Sequence, residues 1–330
     1  MRLIGVELTR LRWRRAVAIL LAGCVLVPAL VWFGLVWGTR PVSAEEIRQA
    51  KEMVAQNARD NQQMIDECVA RPQEYGAPTT GDTQQACEAM FGFGDDQYEW
   101  YLTRQPLNVR EQLQGSGLGV ITILAALLML VGTTFAGHDW NSGSLSNQLL
   151  FEPRRMRVWG AKAAAVAAIS LVSSLVVLAA WWGALWLVAE QRGVQGSSHT
   201  WELIRNSALR GSLVVTFAAV AGYALTMFFR STVATLGVMF AVAVVGQVVA
   251  IAVFGEGVIR WLIPTNVAAV IYNGFEYYSG GDQVCTQDGA GPMECTGMAH
   301  LSLGAGTTYL VVLLGLVVGL SIWSFRRRDV

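Results

Sequence analysis

Residues 117–137 read GLGVITILAALLMLVGTTFAG and contain no charged side chain. A helix rises about 1.5 Å per residue, so a run of this length covers roughly the 30 Å hydrocarbon core of a bilayer. Uninterrupted apolar runs of about 20 residues are typical of transmembrane helices. The stretch therefore predicts a helix that crosses a membrane.

Five other runs have the same character. The chain has 330 residues, 53% hydrophobic and 15% charged, whereas a soluble domain has about 25% charged residues. We expect an all-α integral membrane protein with six transmembrane helices. The first run is too long for a signal peptide and ends in the bulky WFGLVWG, which favours a retained helix. The predicted spans are 16–38, 117–137, 158–189, 211–229, 233–254 and 304–325.

Lysine and arginine are distributed unevenly between the two sides of these spans. With a cytoplasmic N-terminus, 13 of the 24 lie on the cytoplasmic side, mainly in 1–15, 138–157 and the tail 326–330. The short connections on the other side, 190–210 and 255–303, carry 4. Because cytoplasmic segments retain positive charge, both termini are predicted to be cytoplasmic. The usage of Ala, Val, Gly, Arg and Trp is typical of actinobacterial proteins, so we expect a bacterial plasma membrane.

The segment 1–15 is basic and amphipathic, and Trp13 can anchor it at an interface. Helical spacing places the apolar side chains on one face and Glu7, Arg10 and Arg14 elsewhere. We predict a helix in the plane of the membrane surface, with a simple extension of the first span as the alternative. The apolar face comprises Leu3, Ile4, Leu8 and Leu11.

The extracytoplasmic loop 39–116 is long enough to form a small helical domain. It carries 13 acidic and 7 basic residues, which predicts an acidic surface. Ser43 and Glu46 match a capping box, so a helix is predicted to begin there and to continue to about Cys68. A second helix is predicted over 83–91.

Adjacent aspartates follow in the aromatic sequence FGFGDDQYEWYL (91–102). Asp95 and Asp96 can be interpreted as a calcium site or as part of a packed lid. The lid is favoured because two adjacent acids lack the spaced oxygen ligands that a calcium loop needs.

The five cysteines follow the predicted topology. Cys24 lies alone in the first span and is interpreted as a small buried hydrophobe. Cys68 and Cys87 share the first outside loop, and Cys285 and Cys295 share the last one. Pairs on an oxidising face suggest two disulfides, although four cysteines allow three connectivities. Metal binding is the weaker interpretation because neither pair has the close spacing of a zinc site.

The last outside segment, 255–303, begins with GVIRWLIPTNVAAVIY (257–272). This apolar sequence is short and contains Pro264. It predicts helices that enter the outer leaflet without crossing, where protein or water covers their irregular backbone.

Several function classes are excluded by what the sequence lacks. No GxxxxGKS or GxxxxGKT motif is present, so the chain has no P-loop nucleotide site. The predicted spans contain almost no ionisable residues, which argues against an intramembrane protease and against a proton-coupled or sodium-coupled carrier. No metal or nucleic-acid partner is indicated. A chain of this kind needs a partner that supplies energy.

The cytoplasmic segment 138–162 reads HDWNSGSLSNQLLFEPRRMRVWGAK and separates two long spans. It predicts a short amphipathic helix beneath the membrane that can receive a push from a soluble partner. An ordinary positively charged loop is the alternative. The pattern comprises a polar turn at 139–143, a cap at Ser144, an apolar face of Leu145, Leu149 and Leu150, a stop at Pro153, and Arg154, Arg155 and Arg157 for headgroups or an acidic partner.

This segment resembles the permease subunits of ABC-2 transporters, which belong to the ATP-binding-cassette class. Those subunits typically have an acid after the second span, a Gly-Thr-Leu-like triplet, a short helix, a proline, basic residues and a lysine. The basic N-terminal helix, the six spans and RWLIPTN (260–266) are further similarities. The matching residues are Asp139, Gly143, Ser144, Leu145, Leu149, Leu150, Pro153, Arg154, Arg155, Arg157 and Lys162.

The resemblance implies an ABC-2 (type V exporter-like) fold that is not an enzyme by itself. It implies two separate ABC ATPase subunits that bind ATP and magnesium, and a second permease subunit in a homodimer or heterodimer within the lipid bilayer. An Asp in place of the commoner Glu and the long first loop depart from the family pattern. The residues implied to couple to the ATPase are Asp139, Gly143, Leu145, Leu149, Glu152, Arg154 and Arg155.

The resemblance implies export of a hydrophobic or amphiphilic substrate such as a drug, peptide, lipid or envelope component. Candidate residues for its path are the aromatics Trp181, Trp182, Trp186 and Phe217, for which lipid-facing or core positions are the alternative. A receptor or scaffold acting through 39–116 is the other functional hypothesis. Lipid extraction or signalling would share all of these features.

Overall fold

The computed structural model describes residues 2–78, 82–92, 95–102, 104, 106–194, 196–280, 285–286, 294–295 and 297–327. It is mostly helical (83%), which confirms the predicted class at this level. The chain divides into two compact units. Unit 1 comprises Met1–Trp32, Val109–Glu190 and Gln195–Val330, and unit 2 comprises Phe33–Asn108 and Gln191–Val194.

The helices follow from apolar periodicity and from the turn residues between them. Short 3₁₀ segments occur at Asp95–Tyr101 and Glu256–Trp261, and π-helical turns at Leu113–Gly117 and Ala241–Val245. In chain order the α-helices are α1 (Arg2–Arg12), α2 (Arg15–Gly38), α3 (Ala44–Ala70), α4 (Thr83–Phe91), α5 (Val109–Gln112), α6 (Leu118–Asn141), α7 (Ser144–Phe151), α8 (Arg155–Gln191), α9 (Ser198–Phe229), α10 (Thr232–Phe240), α11 (Gly246–Phe254), α12 (Ile263–Tyr272) and α13 (Leu303–Arg327).

Within the described part of the chain, six helical stretches are long and apolar enough to cross a membrane, and each contains one predicted span. The fourth stretch begins at Ser198 rather than 211, so most of the predicted loop 190–210 is helical. The hydroxyl of Ser197 accepts a hydrogen bond from the backbone of Thr200 and caps this helix. The stretches are Arg15–Gly38, Val109–Asn141, Arg155–Gln191, Ser198–Phe229, Thr232–Phe254 and Leu303–Arg327.

Helices α6 and α9 approach closely because glycines lie between them. A Cβ atom at Gly132 would lie 2.2 Å from the carbonyl oxygen of Ala219. A Cβ atom at Gly222 would lie 2.5 Å from the carbonyl oxygen of Met129. These backbones could not touch if either residue carried a side chain, so the core of unit 1 uses the small-residue packing common between membrane helices.

The second apolar stretch contains the π-helical turn Leu113–Gly117 between α5 and α6. The hydroxyl of Tyr272 donates to the carbonyl oxygens of Leu113, at 3.2 Å, and Gln114, at 3.4 Å. A π-turn interrupts the regular hydrogen-bond ladder, and the tyrosine supplies donors to its carbonyls. Burial raises the pKa of Tyr272 to about 12, so its hydroxyl remains a donor at neutral pH.

The segment after α11 combines one short helix with paired strands. Helix α12 has 10 residues, with Pro264 in its first turn, and at about 1.5 Å per residue it is too short to cross a bilayer. Strand β1 (Phe275–Tyr278) pairs antiparallel with β4 (Met298–Leu301), and β2 (Cys285–Thr286) pairs with β3 (Glu294–Cys295).

The strictly all-α expectation is therefore wrong for this segment. The aromatic sequence FEYY of β1 favours a strand because ring side chains pack well on a pleated surface. Cys285 lies opposite Cys295 in the backbone register of β2 and β3. The side chains of both cysteines lie outside the described residues, so a disulfide between them stays a prediction.

Unit 2 is organised around α3, α4 and the 3₁₀ segment Asp95–Tyr101. Cys68 and Cys87 form a disulfide, which confirms the pairing predicted for the first loop. Both cysteines are buried together with Ile65 and Ala77. Asp95 and Asp96 begin the 3₁₀ segment, and their side chains lie outside the described residues.

The first turn of α3 has the predicted capping box. The Ser43 hydroxyl accepts from the Glu46 backbone at 3.2 Å, and the Ser43 backbone donates to the Glu46 carboxylate at 2.8 Å. Arg104 pairs with the same carboxylate. Hydrogen bonds from the Ser43 backbone and hydroxyl, with a smaller contribution from Arg104, hold the pKa of Glu46 below its usual value of 4.5.

Candidate functional site: a buried charge cluster

Lys162 of α8 bridges two carboxylates from distant parts of unit 1. Its ammonium nitrogen lies 2.6 Å from Oδ2 of Asp139 at the end of α6. It also lies 2.9 Å from Oε2 of Glu7 in α1. The bridge therefore joins the N-terminal helix to two helices that could span a membrane.

Arg14 completes this group from the short break between α1 and α2. Its guanidinium pairs with Oδ1 of Asp139 and donates to the carbonyl oxygen of Phe135 at 2.8 Å. The Phe135 ring lies under both cations, 4.8 Å from the Arg14 guanidinium carbon and 5.2 Å from the Lys162 nitrogen. We term Glu7, Arg14, Asp139 and Lys162 the charge cluster.

The charge cluster is almost completely removed from solvent. The side chains of Glu7, Asp139 and Lys162 are at most 1% exposed, and that of Arg14 is 17% exposed. Two carboxylates balance two cations, so the ionised cluster has no net charge. Buried ion pairs contribute little net stability but leave an uncompensated charge when one member is removed, at a cost of about 3–5 kcal/mol. The cluster therefore penalises any arrangement that separates α1, α6 and α8.

Helix α7 is tied to the same cluster at two points. The hydroxyl of Ser144 donates to Oδ1 of Asp139 at 2.8 Å, and the amide of Gln148 donates to Oε1 of Glu7 at 2.5 Å. The predicted cap at Ser144 is therefore wrong, because the hydroxyl is engaged with the buried carboxylate. The helix begins instead after Gly143, whose φ of 67° lies in the left-handed region that favours glycine.

A second set of contacts holds the beginning of α8 against α9 and α13. The Trp159 indole nitrogen donates to the Ser321 hydroxyl at 3.2 Å. The Tyr223 hydroxyl donates to the carbonyl oxygen of Trp159 at 3.0 Å. Arg155 donates to the carbonyl oxygen of Phe325 near the end of α13 at 3.2 Å. Four helices of unit 1 therefore converge at this end.

The distal end of α7 presents apolar side chains outward. Leu150 is 80% exposed and Phe151 is 89% exposed. Met156, just beyond the helix, is 41% exposed. The predicted single apolar face of Leu145, Leu149 and Leu150 is therefore split, because Leu145 is buried and Leu150 points away.

The residues implied to couple to an ATPase fall into two groups. Asp139 and Leu145 are buried, so they can act only by positioning other groups. Gly143, Leu149, Glu152 and Arg155 are partly exposed, and Arg154 is exposed. The outward surface of the segment therefore comprises the end of α7 and the residues that follow it.

The aromatic residues proposed for a substrate path are also divided. Trp181 and Trp182 are 4% and 6% exposed and pack edge to face, with ring centroids 4.7 Å apart. Trp182 and Trp186 line an open groove of about 320 Å³ between α8 and α9. Phe217 is 36% exposed and does not line this groove.

Sequence reasoning places Glu7 away from the apolar face of α1, and the structure shows that this is wrong. Glu7 is buried, as is Leu11. The signal was present in the spacing, because positions 4, 7, 8 and 11 recur at helical steps on one face. Arg14 and Gln148 were also missed as partners, since nothing in the local sequence identifies contacts over 125 and 141 residues.

Among the described residues, no three His, Cys, Asp or Glu side chains lie close enough to hold a metal ion. The charge cluster has no such group either, because its two carboxylates are occupied by cations. Comparison of the chain with protein-family models, curated proteins and solved structures found no match.

Proposed function

We propose that the chain is the membrane-embedded permease subunit of an ATP-driven exporter of the ABC-2 class. The observation that carries the proposal is helix α7, which is bound to the charge cluster at one end and exposes Leu150 and Phe151 at the other. An exposed apolar pair next to Arg154 suits docking on a soluble partner, because aromatic and aliphatic side chains dominate binding energy at interfaces.

The charge cluster gives such docking a route into the spans. A displacement of α7 acts on Asp139 through Ser144 and on Glu7 through Gln148. Lys162 connects both carboxylates to α8. Because separating the buried charges is costly, α1, α6, α7 and α8 are expected to move together.

The partner in this proposal is a pair of ABC ATPase subunits that bind ATP and magnesium. Two permease subunits, identical or different, would form the path through the bilayer. The spans offer apolar and aromatic surfaces, so the proposed substrate is hydrophobic or amphiphilic. Both termini would be cytoplasmic, and unit 2 would lie on the extracytoplasmic side.

The first experiment is affinity purification of the tagged chain from its native membrane in mild detergent, followed by mass spectrometry. Recovery of a stoichiometric P-loop ATPase is expected. The Phe151→Asp variant should lose this ATPase, because a carboxylate replaces an 89% exposed aromatic residue at the docking surface. Trp100→Asp is the matched control, since Trp100 is 75% exposed and belongs to unit 2.

The outcomes separate the two functional hypotheses. Loss of the ATPase in Phe151→Asp alone supports docking through α7. Recovery of an envelope protein without any ATPase, and its loss in Trp100→Asp, would instead support a receptor or scaffold. Unit 2 favours that second hypothesis to the extent that it has its own buried core and an exposed tryptophan.

A further inference from the structure

An open groove of about 520 Å³ lies between α12 and the first half of α13. One end is formed by Arg260 and Trp261, from the 3₁₀ segment that precedes α12, and by Tyr309 of α13. The other end is formed by Val312 and Leu316, which are 55% and 60% exposed. The groove therefore changes from cationic and aromatic to aliphatic along its length.

The length of the groove matches one leaflet of a bilayer. Its lining extends along α13 from Gly304 to Leu316. At about 1.5 Å per residue this distance is roughly 18 Å, and half of a hydrocarbon core is roughly 15 Å. The aromatic end lies at the beginning of an apolar helix, where Trp and Tyr are typical of the membrane interface.

Arg260 carries an uncompensated charge at the interfacial end. It makes no ion pair with any residue that the structure describes, and its guanidinium carbon lies 5.8 Å from the ring of the neighbouring Trp261. The carboxylate of Glu256 lies instead against Gly280, where an added Cβ would meet it at 3.2 Å. The groove thus has a positive end without an acid from the described part of the chain.

The interfacial end is held in place by hydrogen bonds. The Tyr309 hydroxyl donates to the carbonyl oxygen of Trp261 at 2.8 Å. The side-chain amide of Asn266 is 2% exposed and donates to the carbonyl oxygens of Arg260, at 2.8 Å, and Leu262, at 2.9 Å. The backbone that carries the cation is therefore fixed before any ligand binds, which lowers the cost of binding.

We propose that this groove binds one anionic glycerophospholipid. Its phosphate lies beside Arg260 and its acyl chain follows Val312 and Leu316. The charge at the interface, the aromatic pair and a depth of one leaflet match the three parts of such a molecule. The inference does not depend on the proposed transport function, because it requires only that α13 crosses the membrane.

The test uses the purified full-length chain in detergent with equal amounts of phosphatidylglycerol and phosphatidylcholine of the same acyl chains. Native mass spectrometry should show one retained phosphatidylglycerol per chain. Arg260→Gln should lower this retention about fivefold. Arg327→Gln is the matched control, because Arg327 also lies over a tryptophan ring, Trp323 at 5.1 Å, at the opposite end of α13.

A second pair of variants tests the aliphatic end without changing charge. Gly304→Leu should reduce retention of phosphatidylglycerol, because Gly304 lines the groove and an added Cβ meets nothing within 4 Å. Gly315→Leu is its control, since that glycine is equally open but does not line the groove.

Equal retention of the two lipids would overturn the proposal, as would wild-type retention in Arg260→Gln. A disulfide formed between two chains through Val312→Cys in vesicles of the same lipids would also overturn it. That result would assign the groove to a second copy of the chain.

Discussion

The ammonium of Lys162 lies 2.6 Å from the carboxylate of Asp139, although 23 residues and a complete helix separate the two positions. The pair is buried, and each member has a second partner of opposite charge, Glu7 for the lysine and Arg14 for the aspartate. The four charges therefore depend on one another, and removing any one leaves an excess of the opposite sign inside the protein.

Replacing the buried lysine should destabilise the chain strongly. Lys162→Met leaves two carboxylates against one arginine, and the free energy of unfolding should fall by about 3–5 kcal/mol. Unfolding in detergent with increasing dodecyl sulfate, followed by tryptophan fluorescence, measures the change. The chain's other lysine provides the control: Lys51→Met, at an exposed site of α3, should stay within about 0.5 kcal/mol of wild type. Equal stability of the two variants would contradict the buried bridge.

Close packing of α6 on α9 should depend on the absence of a side chain at Gly132. In Gly132→Ala the new Cβ would lie 2.2 Å from the backbone oxygen of Ala219, and the helices must separate at a cost of about 1–3 kcal/mol. Gly119→Ala on the same helix meets nothing within 4 Å and should gain up to about 1 kcal/mol from helix propensity. The same unfolding assay compares them, and a neutral Gly132→Ala would show that the helices are not in contact there.

The disulfide between Cys68 and Cys87 should stabilise unit 2. It closes a loop of 19 residues in sequence separation, and the chain-entropy model assigns about 3 kcal/mol to such a loop. Replacing both cysteines by alanine in the full chain should accelerate proteolytic cleavage within 39–108, measured by mass spectrometry of the fragments. Cys24→Ala, at a free and buried cysteine of α2, should leave that cleavage unchanged.

The first turn of α3 should weaken in acid because of Glu46. Its folded-state pKa lies below the usual value of 4.5, so ionised Glu46 stabilises the fold above the unfolded-state pKa. This contribution is lost as pH falls through the folded-state pKa. Hydrogen exchange of the α3 amides should differ between wild type and Glu46→Gln at neutral pH and converge in acid. Taking the difference at each pH removes the intrinsic pH dependence of exchange, and a difference that persists in acid would contradict the assignment.

Much of the helical architecture was predictable because its signals are local. Six apolar runs, the capping box of Ser43 and Glu46, and the helix over 83–91 follow from composition and spacing within about 20 residues. The helix that begins at Ser198 was placed too late, because charged residues near a span conceal the continuation of a helix into the polar region. Strand β1 was missed because four aromatic and acidic residues give no alternating pattern.

The charge cluster was only half predictable. Asp139 and Lys162 were singled out by their position in a family-like segment, but their pairing required the return of the chain after α7. Glu7 and Arg14 contribute over more than 120 residues of sequence, and no local property of a basic N-terminal helix specifies such a distant partner. Burial reversed the expected role of Leu145 for the same reason.

The π-helical turn at Leu113–Gly117 fixes the rotational register of everything that precedes it in that stretch. A regular helix turns by about 100° per residue, so deleting one residue from the turn would restore an even α-helix and rotate Val109–Gln112 by about that angle. The carbonyl oxygens that now accept from Tyr272 would then face another direction. In terms of sequence change, a single deletion there alters orientation without altering composition, and Tyr272 is the residue that would detect it.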